Sequence, residues 1–194
     1  MEFLITGLVI FLGIHSVRLV GLRGPMIAML GQGPYAIIYS LISAVGLALI
    51  VYGHILAHPS EAIWAPPEWT RTLALFAIPV AIILVIAAYL PGHIRSFVRH
   101  PMTLGIFLWA GVHLLANGNI ASMILFGSFA VWAFLTLISA YARGGSFESA
   151  GRWWADIASI AIGLGLAGAV AWFHMDLFGV AVIEFASEPT APGI

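Results

Sequence analysis

Cysteine and lysine are both absent from the 194 residues. Without cysteine there is no disulfide, no zinc thiolate, no thiol nucleophile, no iron-sulfur cluster and no Cys-x-x-Cys-His attachment of haem. Any metal must be held by His, carboxylate, Tyr or Met. Seven arginines stand against eight acids, for a formal charge of -1 and a pI near 6.6. That balance lacks the excess of cations needed to neutralise nucleic-acid phosphates, so nucleic acid is not an expected partner. Charge of either sign is scarce, at 8% of positions, where a soluble domain carries about 25%. Apolar residues take its place: 62% of the chain is hydrophobic and the mean hydropathy is +1.07. The expected solvent for most of this surface is lipid.

A helix that crosses a bilayer needs roughly 20 mostly apolar residues, because unpaired backbone in hydrocarbon excludes irregular structure. The runs place such helices at about Glu2 to Gly21, Tyr35 to Ala57, Thr72 to Leu90, Met102 to Ala116, Ile120 to Ala142 and Trp153 to Phe173, the fourth being short. The first follows Met1 without the basic leader and small-residue cleavage site of a signal peptide, and is expected to be retained. The expected fold class is all-α, a polytopic transmembrane helical bundle of about six spans. It forms one domain over residues 3–186, with a flexible C-terminal tail over 187–194.

Breaks between the runs carry turn chemistry. Arg23-Gly24-Pro25 and Gly31-Gln32-Gly33-Pro34 punctuate the first connection, and Pro59, Pro66 and Pro67 the second, with Ala65 to Trp69 expected as loop. Pro91-Gly92 ends the third span, Asn117-Gly118-Asn119 makes a tight turn, and Gly144-Gly145-Ser146 opens the fifth connection. Arginines test this division. Arg18 and Arg23 follow span one, Arg95 and Arg99 span three, Arg143 and Arg152 span five, and only Arg71 falls on the other side. The arginine side is expected to be cytoplasmic. Glu2, Glu61, Glu68, Asp176, Glu184 and Glu188 fall on the opposite side, so both termini are expected to be non-cytoplasmic.

Trp64, Trp69, Tyr89, Tyr141, Trp153, Trp154 and Trp172 lie near span ends and read as interfacial anchors rather than a binding box. Ala161, Gly165 and Ala169, four apart on the last span, read as helix-packing residues. Gly163-x-Gly165-x-x-Gly168 has the letters of a dinucleotide fingerprint, but no strand precedes it and it sits inside an apolar run. It is set aside.

Histidine is over-supplied: there are seven, at positions 15, 54, 58, 93, 100, 113 and 174. A polar group in hydrocarbon needs a partner, and an ionisable one is a functional hypothesis. His54, His58 and His174 belong to the outer side, where ordinary interfacial roles suffice. His58 precedes Pro59, which biases it away from helix and spoils the i, i+4 metal pair with His54. His15 lies toward the cytoplasmic end of span one, His93 and His100 lie on a cytoplasmic connection, and His113 lies inside span four. His113 is thirteen residues beyond His100, about 19 Å along a continuous helix, so those two cannot share one iron. For His113 a hydrogen bond to a neighbouring helix is the default. At His15 periodicity does not separate a ligand from a packing group paired with Ser16.

His15 and His100 have compatible depths and come from different helices, the arrangement that holds a non-covalent b-type haem by axial iron bonds. Propionates would need cations at the membrane surface, and Arg18, Arg95 and Arg99 stand on the correct side. Read blandly, the same arginines only set topology.

These residues also carry a resemblance. Phe11-Leu12-Gly13-Ile14-His15-Ser16-Val17-Arg18, followed by Gly33-x-Tyr35-x-x-x-Tyr39-Ser40-Leu41, resembles the opening of the NnrU family of bacterial membrane proteins. His100-Pro101-Met102-Thr103-Leu104-Gly105 runs into Leu108-Trp109-Ala110-Gly111-Val112-His113-Leu114-Leu115-Ala116-Asn117-Gly118 and then Leu125-Phe126-Gly127-Ser128, a block similar to that family's signature. The likeness spans Phe3 to about Trp172. It implies an integral protein of the bacterial inner (cytoplasmic) membrane associated with nitric oxide and nitrite metabolism in denitrification. The family is in turn similar to the plant 15-cis-zeta-carotene isomerase, whose resemblance implies haem b with axial ligands at His15 and His100. The thiolate ligation discussed for that isomerase has no counterpart in a chain without cysteine.

Arg99-His100-Pro101 with Gly105 also resembles the short motif of isoprenylcysteine and phospholipid methyltransferases, which bind S-adenosylmethionine. Their paired acidic motif is represented only by Glu148 and Asp156 around Gly151-Arg152. The leading expectation is a haem b membrane protein with metal ligands His15 and His100, its cofactor environment completed by Arg18, Arg95, Arg99 and His113. As an enzyme it would be a haem-dependent isomerase or oxidoreductase, taking a lipophilic polyene or a redox partner. A methyltransferase and a non-enzymatic scaffold are the alternatives.

Overall fold

A computed structural model of the chain describes residues 1–144, 151–178 and 182. Gly145, Ser146, Glu148, Glu184, Glu188, the tail at 187–194 and the end of the domain at 186 lie outside the described residues. Eight helices are described: α1 (Glu2–Ser16), α2 (Arg23–Leu30), α3 (Gln32–Leu56), α4 (Glu68–Ala87), α5 (His93–Val98), α6 (Pro101–Ala116), α7 (Ile120–Ala142) and α8 (Trp153–Phe178). Among the described residues the only β feature is a single bridge, Ala62 to Asn119.

Each of the six expected spans is a helix, but they are not alike. α3, α4, α7 and α8 are long and apolar enough to cross a membrane. α1 and α6 are shorter, with 15 and 16 residues, about 22 and 24 Å against roughly 30 Å of hydrocarbon. The first expected span ran to Gly21; the helix stops at Ser16, and the chain turns through Gly21, whose φ of +76° suits a residue without Cβ. Two connections expected as irregular are partly helical, since α2 contains Arg23-Gly24-Pro25 and α5 follows Pro91-Gly92. The loop expected over Ala65 to Trp69 ends at Pro67, the N-cap of α4. Pro34 and Pro101 sit in first helical turns, where a missing N–H breaks no intrahelical bond.

Packing runs in series: α3 lies on α1, α1 on α7, α7 on α6, α6 on α4, and α4 on α8. Glycine sets the closest of these approaches. A Cβ on Gly53 would run into the backbone of Leu4, and one on Gly7 would stand 2.6 Å from Ile50 N, so α1 and α3 meet backbone to backbone. On α8 the buried stripe is Ser159, Gly163 and Ala167, facing Ile83 of α4. This corrects the stripe expected at Ala161, Gly165 and Ala169: those positions lie two residues round, on the exposed side. Many large apolar side chains face outward, among them Phe76, Leu41, Ile37 and Ile157, as a lipid-solvated bundle requires.

One core cluster unites Leu4 and Leu8 of α1, Ile50 of α3, Ala110 of α6, and Ala121, Leu125, Phe126 and Phe129 of α7. It lies toward the end of the bundle opposite the arginines. There the α3–α4 connection is strapped over the α6–α7 turn. Ile63 and Trp64 N–H donate to Gly118 O, Ile120 N–H to Glu61 O, and Ala121 N–H to Ser60 Oγ. Asn119 caps α7 by accepting from Ser122 N–H at 2.9 Å.

Candidate functional site

The other end gathers six of the seven arginines, because α1, α4 and α7 end there and α6 and α8 begin there. His15 is the next-to-last residue of α1. Its Nδ1 lies 2.6 Å from Phe11 O. A carbonyl only accepts, so Nδ1 carries the hydrogen and Nε2 of the neutral ring keeps its lone pair. The imidazole stacks on Phe11 at 4.1 Å between centroids and meets Tyr39 of α3 at 5.2 Å and the edge of Trp132 of α7 at 6.0 Å. Ser16, read with His15 as a packing pair, instead donates to Leu12 O within its own helix.

Between α1 and α7 an open groove of about 470 Å³ is lined by Leu12, Ser16, Leu19, Gly127, Ser128, Val131, Trp132 and Leu135. It is apolar apart from two hydroxyls. Trp132 Nε1 is buried there with no acceptor among the described residues, an unusual state for an indole in a packed bundle. Nothing in the sequence distinguished Trp132 from the other aromatics.

His100 is the N-cap residue of α6, reached through Arg99, whose φ of +63° reverses the chain after α5. The ring stands edge-on to Tyr141 at 5.2 Å, and Tyr141 donates its hydroxyl to Val98 O. Burial, then the charges of Arg18, Arg143 and Arg99, hold the His100 pKa below its ordinary value. Arg18, two residues beyond α1, thus acts on the residue that opens α6, and Arg143, absent from the expected set, joins it. His15 and His100 share an end of the bundle. Their aromatic partners on α7, Trp132 and Tyr141, are nine residues apart, about 14 Å along the axis and half a turn round.

His113 is on α6 at the far end. Its Nδ1 donates to Trp109 O at 2.9 Å, and its ring stacks on Phe126 at 4.6 Å. His54 and His58 lie 4.5 Å apart by ring centroids, with His58 Nδ1 donating to His54 O. Among the described residues no group of three or more His, Cys, Asp or Glu is clustered for a metal ion.

A second polar centre at the arginine end was not expected. Asp156 in the first turn of α8 is 7% exposed and accepts from the backbone N–H of His93 and Ile94, both at 3.0 Å, and from His93 Nδ1 at 2.8 Å. It thereby caps α5. Its sequence signal was a lone acid at the start of an apolar run, read only as half of an acidic pair for S-adenosylmethionine. Glu148, the other half, lies outside the described residues. Arg95, on the same short helix, is half-buried.

The family model described as NnrU protein matches residues 3–182, nearly the whole chain. No curated protein and no solved structure matches it.

Proposed function

The chain belongs to the NnrU family and is a membrane protein of that type, and from that premise we propose that it carries a b-type haem at its arginine end and serves nitrogen-oxide metabolism. The observation that carries the proposal is His15: Nδ1 is tied to Phe11 O, which leaves Nε2 free to bind iron. The residues around it fit such a group. The adjoining groove is apolar, the orphaned Trp132 Nε1 offers a donor to a bound acceptor, and Arg18 and Arg99 supply cations for carboxylates at the membrane surface. His15 is assigned as the anchoring ligand and His100 as the second, which requires the start of α6 to close on α1 as the group binds, with Arg95 at the rim. Bound haem would supply one-electron and diatomic-gas chemistry, or polyene isomerisation, while the protein excludes water and sets the ligand field. His113 takes a packing role in this reading, stacked on Phe126.

In this proposal α1 and α6 complete a six-span bundle in the bacterial inner membrane, with the arginine end cytoplasmic and both termini outside. The test is the absorption spectrum of the detergent-purified protein, with a reduced pyridine extract to quantify haem. The expected result is a Soret band that is lost in His15→Ala, shifted to a high-spin form in His100→Ala, and unchanged in His174→Ala. A colourless preparation from haem-replete cells overturns the proposal, and an unchanged spectrum in His100→Ala removes that residue from the site.

A further inference from the structure

The pair His93 and Asp156 is more elaborate than a helix cap needs. Two backbone N–H groups of α5 would be satisfied by a neutral Asn or Ser at position 156. Instead a nearly buried carboxylate reaches past them to His93 Nδ1 at 2.8 Å. The carboxylate accepts, so His93 Nδ1 carries the hydrogen and Nε2 is left as an oriented acceptor, as in enzymes that aim an imidazole with an acid. The neighbouring backbone is shaped around the pair. A Cβ on Gly92 would collide with Asp156 Oδ1, and one on Gly151 would lie 2.6 Å from His93 Cα. Arg152 N–H donates to Pro91 O, tying the two segments once more.

The His93 side chain is 44% exposed, and its ring packs against Trp153 at 4.5 Å with a 39° tilt. Trp153, Tyr89 and Phe97 are themselves open to the surroundings of the bundle. These aromatics lie at the end of the apolar helices, the depth of lipid headgroups. A molecule arriving there comes laterally from the bilayer. It meets a hydrogen-bond acceptor beside a flat indole.

We propose that His93, aimed by Asp156 and flanked by Trp153, is a binding site for the hydroxyl of a lipid-dissolved aromatic headgroup, a phenol or quinol. The hydroxyl donates to His93 Nε2 and the aromatic ring lies against Trp153. His93 is the contact residue and Asp156 is a positioning residue. At this end the charged groups of the packed elements are Asp156 and Arg152 from α8 and its approach and Arg95 and Arg99 from α5 and its end. α4 turns its own charges, Glu68 and Arg71, to the opposite end of the bundle. A phospholipid phosphate has no hydrogen to donate to Nε2, so competition by an alkylphenol against competition by inorganic phosphate separates the two ligands.

The test uses the full chain in detergent, with the fluorescence of a heptyl-hydroxyquinoline N-oxide as probe. Saturable quenching, reversed by an alkylphenol and not by inorganic phosphate, is expected. His93→Gln should weaken it about tenfold, the loss of one well-placed hydrogen bond. Asp156→Asn keeps a capping oxygen for α5 yet no longer fixes the hydrogen on His93 Nδ1, so it should weaken binding as well and mix the two ring tautomers in the 15N spectrum. His58→Gln, at the other end, should change nothing. Absence of saturable quenching, displacement by inorganic phosphate alone, or an unaltered affinity in His93→Gln overturns the proposal. The readout is independent of haem: His15→Ala should keep the probe whether or not it keeps a Soret band.

Discussion

The two ends of this bundle solve the same problem differently. Opposite the arginines, α1, α3, α6 and α7 close on one apolar cluster, glycines bring α1 and α3 backbone to backbone, and a hydrogen-bonded strap covers the α6–α7 turn. At the arginine end the same helices part around a groove, and the joints are polar: a capped short helix, an imidazole at the start of α6, and guanidinium charges. Stability is concentrated where van der Waals packing is dense. Six of the seven arginines are concentrated where it is not. The contrast follows from the sequence because a membrane bundle gains nothing from burying apolar surface against lipid-like neighbours, so only close packing and polar contacts distinguish one end from the other.

The largest effect should come from breaking the dense end. Gly53→Val places branched carbons on the backbone of Leu4, and neither helix can yield locally, since Gly7 and Gly46 hold the same interface. Withdrawal of α1 from α3 should cost about 3 kcal/mol, the upper part of the range for overpacking. The control is Gly165→Ala on the exposed side of α8, where nothing lies within 4 Å and helix propensity gains up to about 1 kcal/mol. Unfolding in mixed detergent micelles, followed by circular dichroism, measures both. Equal midpoints for the two variants would erase the contrast between the ends.

The arginine end should give a smaller and local response. Asp156→Ala strands two backbone N–H groups of α5 and the His93 side chain, for a loss of about 2 kcal/mol. Hydrogen exchange should accelerate over residues 93–98 while the amides of α1 around Leu4 and Leu8 stay protected. Spread of the faster exchange to α1 would mean that the two ends do not unfold separately.

Composition made the helical membrane fold legible, because lipid leaves the backbone no other way to pair its hydrogen bonds. Helix packing was less so. Spacing small residues four apart identified the right kind of stripe on α8 but the wrong one, since Ala161-Gly165-Ala169 and Ser159-Gly163-Ala167 have the same period and only the partner α4 decides between them. At the candidate site, the surplus of histidine marked seven positions, and depth selected His15 and His100 among them. The nine-residue spacing of their aromatic partners on α7 is a tertiary fact with no local signature. Asp156 was visible as a letter and invisible as a partner, because its three donors come from residues more than sixty positions earlier.

The smallest effect concerns pH, and it discriminates between the ends because it belongs to one of them. His100 has its pKa lowered from the usual 6.5 by burial and by Arg18, Arg143 and Arg99. Above that value the ring is neutral in both the folded and unfolded chain, and its contribution is complete. As pH falls below it the unfolded chain takes up the proton first, so stability is lost until the lowered folded value is passed. A modest fall in the thermal midpoint on mild acidification is therefore expected. His100→Gln should flatten that part of the profile, and Arg143→Gln should shrink it by removing one of the opposing charges. The response should remain when Gly53 is replaced, since no arginine at the dense end acts on this imidazole. If His100→Gln leaves the acid limb unchanged, the guanidinium cluster does not act on the start of α6, and the polar account of the arginine end loses its electrostatic part.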